Sequence, residues 1–563
     1  MRIIQSALLA ILLILLSCNR TEPLDEADII LDDLTDKTDY SIDMLVDCRY
    51  FEGKKTRKIE VNQHMYNSPE LIELKAGFHR IVIFTKKDDE NPDVIRIAIL
   101  DEERGEPEWG LPPWTPHGVE IGTISDQQLT SIYPRNIPEG FDLPLVVVVG
   151  EQVTESTDNL LATVGPVSFL VKRGVGSAWI PSDADMLVID SRTSPIQAEI
   201  MTAPPESLSG TIEKDTLIAA GSYLNIPADL YISAGISLSI EEGAFITVDP
   251  EVNIYNEGVI NISGSPTAPV TIICSDNQAY WGGFISSGSG NRVKASHAIF
   301  ARSGYHEGDD YNWGHAHRQA LFFNQGGSLS VDHCYMIDHI GQVFYPLSAR
   351  LEIEYCLVQR VKTGGQINHS QLLIRHSVFT DFPDDTQVYQ DVDNDGLYIN
   401  DTDATITNSV FMYAKDDGLD SGASPGGEIT ISNTRFESNF HEGAALSSGN
   451  GVIKNHYISH CLFTDNGQGL ELGYSSENHH VYADSCSFIR NGIGIRFGDC
   501  YEWPHKGMMS ISNSLSLDNV SADIWNMKRE HWAADTARME FDNVLVSKAN
   551  PMYPELLIHT NDE

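Results

Sequence analysis

Basic residues are scarce in this chain. Against 80 aspartates and glutamates stand 37 lysines and arginines, for a formal charge of −43. That balance excludes nucleic acid and anionic lipid as partners, because both would be repelled. Cysteine is sparse as well, at 8 in 563 residues. Cys334, Cys356, Cys461 and Cys486 recur at one repeated position, where a thiol packs as a small apolar group, so no disulfide framework is expected. Long apolar runs are missing except for Ala7–Leu16, which is too short to span a bilayer. Preceded by Met1-Arg2, that run reads as a secretory signal.

What the chain does have is a repeat of about 25 residues, too short a period for a propeller blade. It reads Ile406-Thr-Asn-Ser-Val-Phe411, Ile431-Ser-Asn-Thr-Arg-Phe436, Ile458-Ser-His-Cys-Leu-Phe463 and Asp484-Ser-Cys-Ser-Phe488. Each Phe is followed by a glycine: Gly418, Gly443, Gly469, Gly494. Short apolar strands alternating with Asn, Asp and Gly turns predict an all-β, parallel solenoid with one repeat per coil. Backbone groups then bond to the coils above and below, about 4.8 Å away, and equivalent positions stack. Phe300, Met336, Val358, Phe379, Phe411, Phe436, Phe463 and Phe488 should form one interior column. Cys334, Cys356, Ser377, Ser409, Thr434, Cys461 and Cys486 should form another. A polar column, His297, His333, His376, Asn408, Asn433, His460 and Asn513, should satisfy backbone groups at a turn.

The ends of the chain differ in kind. Leu15-Leu16-Ser17-Cys18 resembles the lipobox of bacterial lipoproteins. The resemblance implies removal of residues 1–17 and a diacylglycerol on the Cys18 sulfur, the membrane being reached through that lipid alone. The protein would then reside in the cell envelope, at the outer membrane or cell surface. Residues 18–40 are polar and acidic and read as a tether. Alternating segments such as Ile42–Tyr50, Phe78–Phe84 and Leu143–Val149 predict a β-sandwich region over 41–202, as one or two small domains. Ala203-Pro204-Pro205-Glu206-Ser207 marks its end. The solenoid is expected over 210–535 and a C-terminal cap or tail over 536–563.

The opening coils, Leu238-Ser-Ile240-Glu-Glu-Gly243 and Val259-Ile-Asn-Ile262 leading to Trp281-Gly282-Gly283, are similar to those of exported right-handed parallel β-helix proteins of the pectin-lyase-like superfamily. That resemblance implies the fold. It leaves the reaction open, because the fold hosts lyases, hydrolases, adhesins and silent repeats.

Chemistry is sought where coils depart from regularity. Two long insertions, 304–318 and 381–395, are expected to wall a groove. The first carries the aromatic and imidazole groups Trp313, His315 and His317, with Arg318, suited to lining a carbohydrate site. Aligned on the glycine, the preceding position reads Asp395, Asp417, Glu442, Gln468. Two residues after the glycine it reads Tyr398, Asp420, Ala445, Glu471, Arg496. Acids at one coil spacing raise each other's pKa or call for a cation, which marks a site.

Asn394-Asp395-Gly396, Asp416-Asp417, His441 and Arg496 follow in an order that resembles polygalacturonases, although Asn394 and Asp395 lack an intervening Thr and His441 lacks flanking glycines. By that resemblance Asp416 or Asp417 is the general acid, and Asp395 with the other carboxylate activates water. His441 tunes their protonation and Arg496 holds sugar. Two other readings stay open. Asp-Gly recurs at β-helix turns for conformational reasons, since Gly accepts positive φ. Asp391-Val-Asp393-Asn-Asp395-Gly396 also has the spacing of an oxygen-ligated calcium loop. Three functions compete: a polysaccharide hydrolase or calcium-assisted lyase, a non-catalytic glycan binder or adhesin, and a structural spacer.

Overall fold

The computed structural model describes residues 129–150, 160–164, 167–182, 198–304, 320–382, 394–422, 427–447, 454–498, 505–526 and 538–547, with a few positions up to 558. Between 41 and 99 it describes the strand backbones alone. Cys18, Trp313, His315, His317, Arg318, Asp391 and Asp393 lie outside the described residues. Among those described, no helix is long and apolar enough to cross a membrane.

The chain divides into two units, one mainly of residues 1–127 and one holding nearly all the rest. In the first, Ser41–Val46 pairs antiparallel with Glu70–Lys75, and Lys54–Val61, Gly77–Thr85 and Asp93–Ile99 build a further antiparallel sheet. The second unit is dominated by a single 35-stranded sheet in which most strands pair, parallel, with the strand three places on, the exceptions being where one long strand runs through a corner. Only a coil of three strands per turn gives that pattern. The chain is therefore a parallel β-helix with three faces. The first face includes Tyr223–Ile226, Phe245–Val248 and, much later, Val410–Ala414. The second includes Tyr398–Asn400, Leu419–Ser421, Glu442–Leu446, Gln468–Leu472 and Ile493–Phe497. The third includes Asp403–Thr407, Lys454–Ser459 and His479–Asp484.

Alternation explains the coil. Along Ser237–Glu241, Leu238 and Ile240 are buried while Ser237 and Glu241 look outward, and the same pattern repeats on coil after coil. The two expected interior columns are both present. Phe379, Phe411, Phe436, Phe463 and Phe488 are fully buried and stack with ring centroids 4.8, 5.5, 4.8 and 4.9 Å apart. Each such side chain contributes about 1.5–3 kcal/mol of burial. The small-residue column is also interior, and Cys334, Cys356, Cys461 and Cys486 are buried free thiols.

The polar column behaves differently from the expectation. His297, His333, Tyr355, His376, Asn408, Asn433, His460 and Asn513 all have φ between 47° and 54°. Each is the one left-handed residue that bends the third face into the first. Their backbone N–H groups already bond to the next coil, as His376 N does to the Thr407 carbonyl. The side chains stack on one another instead: His297 on His333 at 4.7 Å, His333 on Tyr355 at 4.8 Å. Asn and His recur here because they tolerate the left-handed conformation.

A second polar column lies inside. Asn439, Asn466, Asn491 and Asn519 sit three residues past the first-face column, and each side-chain amide donates to the Oδ1 of the next at 2.9–3.1 Å. Each amide also donates to a first-face carbonyl, Asn466 to Phe436 O at 3.1 Å. Each Oδ1 in turn accepts a backbone N–H one coil back.

The glycines aligned with that ladder correct another expectation. Gly396, Gly418, Gly443, Gly469 and Gly494 do not have positive φ. A Cβ on Gly396 would strike the Gly418 carbonyl, and one on Gly418 would strike the Asn439 amide at 2.6 Å. Close approach between coils, rather than turn conformation, is what requires glycine here.

Residues 129–180 do not stand apart from the helix. Leu129–Ile132, Leu143–Val149 and Val175–Ile180 form a three-stranded antiparallel sheet, with Leu143–Val149 wholly buried. Its packing layer is the flank of the coil, along the corner between the first and second faces. Trp179 Nε1 donates to Asp338 at 2.7 Å, and Ser177 Oγ to Gln359 at 2.6 Å. Lys172 pairs with Asp381, and Arg173 forks onto Glu437 at 2.6 and 2.7 Å. At the other end the coil continues past 535. Arg538–Val546 pairs with Met508–Leu517 because Met539, Val544 and Val546 keep the alternation, and Leu557–Ile558 adds one more rung.

Candidate functional site

The glycine-aligned register places the acids as stacked neighbours. On the second face Tyr398 pairs with Asp420, Asp420 with Ala445, Ala445 with Glu471, and Glu471 with Arg496. Glu442 pairs with Gln468. Trp525 follows Arg496 in the same outward row.

The first row is knitted by backbone. Asp395 Oδ1 accepts the Asp417 N–H at 3.2 Å, and Asp417 Oδ1 accepts the Glu442 N–H at 2.8 Å. Gln468 then donates its amide to Glu442 Oε1 at 2.5 Å. Asp395 and Asp417 thus each hold a backbone N–H one coil on, and Glu442 holds a side-chain amide. The adjacent position brings in Asp416 and His441, whose backbones bond across one coil.

His441 is the hub. Its Nδ1 lies 2.5 Å from Glu442 Oε2, 3.4 Å from Asp416 Oδ1 and 3.6 Å from Asp417 Oδ1. Arg496 pairs with Glu471 and, at 3.4 Å, with Glu442. Asp395, Asp416, Asp417, Glu442, Glu471 and Arg496 are all buried, while His441 keeps 27% of its side chain exposed.

Removal from water among like charges sets the protonation. Burial, then the Glu442 and Asp416 carboxylates, push Asp417 well above the usual carboxylate range. Burial and the Glu471 charge raise Glu442 likewise. Asp417 and Glu442 titrate as a pair, both held above the usual carboxylate range. Burial, with Asp416 and Glu471 nearby, takes Asp420 to about 8 against the pull of Lys454. For His441, burial favours the neutral ring, but the hydrogen bond to Asp416 and the charge of Asp417 prevail and raise it to about 9. At neutral pH His441 is therefore an imidazolium beside carboxyls that burial biases toward their protonated form, the combination an acid–base site needs.

Of the candidate residues, Asp395, Asp416, Asp417, Asp420, His441, Glu442, Glu471, Arg496 and Tyr398 converge on this face. Asp416, Asp417 and His441 also offer ligand atoms within 4.8 Å of one another, a possible metal donor set. Among the expected calcium ligands only Asp395 is described, and it is occupied in capping Asp417. Two features have no counterpart in the sequence reading. Lys454 is buried and donates to Ser421 Oγ, Gly422 O and Ser447 O at 3.4, 2.9 and 3.3 Å. Tyr398 leans forward so that its hydroxyl rests over Gly422, where a Cβ would collide with it.

The fold and site together define a right-handed parallel β-helix protein with a buried acidic cluster around His441 on one face. A family model described as a right-handed β-helix region matches residues 395–525, the segment that carries the cluster. Among solved structures, the periplasmic alginate epimerase AlgG is similar at a TM-score of 0.42 and 11% identity, covering 58% of this chain and 79% of that one. A point mutant of the same enzyme matches at 0.38 and 11%, covering 61% and 85%. No curated protein matches the chain.

Proposed function

We propose that this is an exported, lipid-anchored envelope protein that binds polysaccharide across the Asp395–Arg496 face and hydrolyses it with paired carboxylates. The observation that carries the reading is the meeting of Asp416, Asp417, Glu442 and His441 in one cluster, where the Asp417 carboxyl is pushed well above the usual range. Asp417 then donates to the leaving glycosidic oxygen. Asp395, one coil back, takes the proton of the attacking water, and His441 as imidazolium offsets the charge left behind. Inverting hydrolysis places its two carboxyls roughly 6.5–9.5 Å apart, a gap that neighbouring coils can supply. Arg496 clamps Glu471 and Glu442, so its part is to hold those carboxylates rather than to reach for a sugar. The excess of acid favours a neutral or weakly charged glycan over a polyuronate.

A lyase would need a base that is free at neutral pH. Burial lowers Lys454 to about 8, but its three hydrogen bonds make it an internal strut. A second reading rests on the Asp416, Asp417 and His441 donor set: two carboxylates and an imidazole suit a transition-metal dication better than all-oxygen calcium.

Glycan release by the full chain, the parent against Asp417→Asn, tests the assignment. The amide keeps the acceptor for the Glu442 N–H but has no acid proton, so release should fall at least a hundredfold. Equal release by both proteins would refute these roles. Loss of release on chelation, restored by manganese or zinc, would favour the second reading.

A further inference from the structure

A cavity of about 550 Å³ opens at the corner between the second and third faces, on the coils that precede and include the first acid of the cluster. Two parallel rows build it. One is Ser348, His369 and Asp401, each left-handed at φ 54°, 48° and 44°, which turns their side chains out of the coil. The other is Arg350, Gln371 and Asp403, outward residues paired in register, Arg350 with Gln371 and Gln371 with Asp403. His369 Nδ1 lies 2.6 Å from Asp401 Oδ2, and Asp403 Oδ1 accepts the Glu428 N–H at 3.0 Å.

We propose that this cavity is a second saccharide-binding site, distinct from the acid cluster, taking two or three units of a neutral glycan laid along the helix axis. The size falls within the range of ligand sites, about 300–1,000 Å³, but the lining does not suit an apolar metabolite, which would need hydrophobic walls. An anion would meet Asp401 and Asp403, and a cation would meet Arg350. A polyhydroxylated neutral ligand satisfies all six side chains, because hydroxyls both donate and accept and the rows offer donors, acceptors and groups that do both. Successive coils repeat the row at about 4.8 Å, close to the advance of one pyranose, so each coil can serve one sugar. Asp401 and Asp403 belong to the coil that supplies Asp395 and Tyr398 to the cluster, so one strand of glycan can be held at this corner while another part lies on the acidic face.

The test separates the two sites by binding rather than by turnover. Affinity electrophoresis and calorimetry of the full chain would be run against soluble neutral glucans, mannans, xylans and galactans. The parent should bind at least one of them. Gln371→Ala with Asp403→Ala, both exposed, should weaken that binding at least tenfold with an unchanged thermal midpoint. Asp417→Asn should bind like the parent at this corner whether or not it cleaves. Unaltered affinity in the double variant, or no binding of any of the four glycan classes by the parent, would overturn the proposal. Loss of affinity in Asp417→Asn alone would move the binding to the acid cluster and overturn it too.

Discussion

Replacing Asn466 with Ala should be among the most damaging single changes in the helix. The Asn466 side chain donates to Phe436 O at 3.1 Å and to Asn491 Oδ1 at 3.0 Å, and its Oδ1 accepts from Asn439 N at 3.0 Å and Asn439 Nδ2 at 2.9 Å. Some of these groups have other partners: Asn439 Nδ2 still reaches Phe411 O at 3.2 Å, and Asn491 Oδ1 still accepts the residue-466 N–H at 3.1 Å. The Asn439 N–H and the Phe436 carbonyl lose this partner inside the coil. A buried group left unsatisfied costs about 1–3 kcal/mol, so the pair predicts about 2–6 kcal/mol, centred near 4. Because coils contact mainly their neighbours, the loss should be local. Hydrogen exchange should deprotect the strands around 435–446 and 462–472 far more than those around 223–262, and urea should show an early transition. A change under about 1 kcal/mol, with exchange unaltered there, would refute the claim that the amide ladder holds these coils together.

Other outcomes follow from the same geometry. Glu437→Gln leaves Arg173 and Arg435 facing each other where one buried carboxylate had joined them, and should cost about 3–5 kcal/mol by urea denaturation. Gly422→Ala should displace Tyr398, and adding Tyr398→Ala should recover most of the lost stability; a double-mutant cycle with no coupling would disprove the contact. Stability should also be greatest in mildly acidic solution. Burial lowers His339 and His456 to about 3 and lowers His479 too, so the unfolded chain binds more protons below 6.5 and stability is lost as pH falls toward 3. Asp417, Asp420 and Glu442 are raised, Asp420 to about 8, so the folded chain keeps protons the unfolded one releases above ~4, and stability is lost as pH rises toward 8. The urea midpoint should therefore peak between about pH 4 and 6.5, and a midpoint rising from 6.5 to 8.5 would contradict the account.

Stacking made much of this legible in advance. Once Phe411, Phe436, Phe463 and Phe488 define a period, every other residue acquires a neighbour one coil away, which is why Tyr398, Asp420, Glu471 and Arg496 could be paired from spacing alone. Direction was harder to read. The acids lie on the outer wall yet are buried, because what covers a residue depends on the rest of the fold and not on its own register. The Asn439–Asn519 ladder was visible as Phe-x-x-Asn in Phe436-Glu-Ser-Asn439 and Phe463-Thr-Asp-Asn466. Spacing alone does not place it inside, because asparagine is ordinarily a turn residue and seldom an interior one. The sheet over 129–180 showed only its alternation. Its attachment to the coil rests on Lys172, Arg173 and Trp179, each meeting a residue more than 150 positions away, for which local pattern holds no clue.

The single left-handed residue between the third and first faces recurs unchanged from His297 to Asn513, whatever the length of the coil it closes. Insertions and deletions are therefore shunted to the other two corners, one beside the acid cluster and one at the polar cavity. A lineage built on this scaffold can lengthen or trim the chain at those two corners while the far edge keeps every rung aligned, and so can change its surface without having to refold.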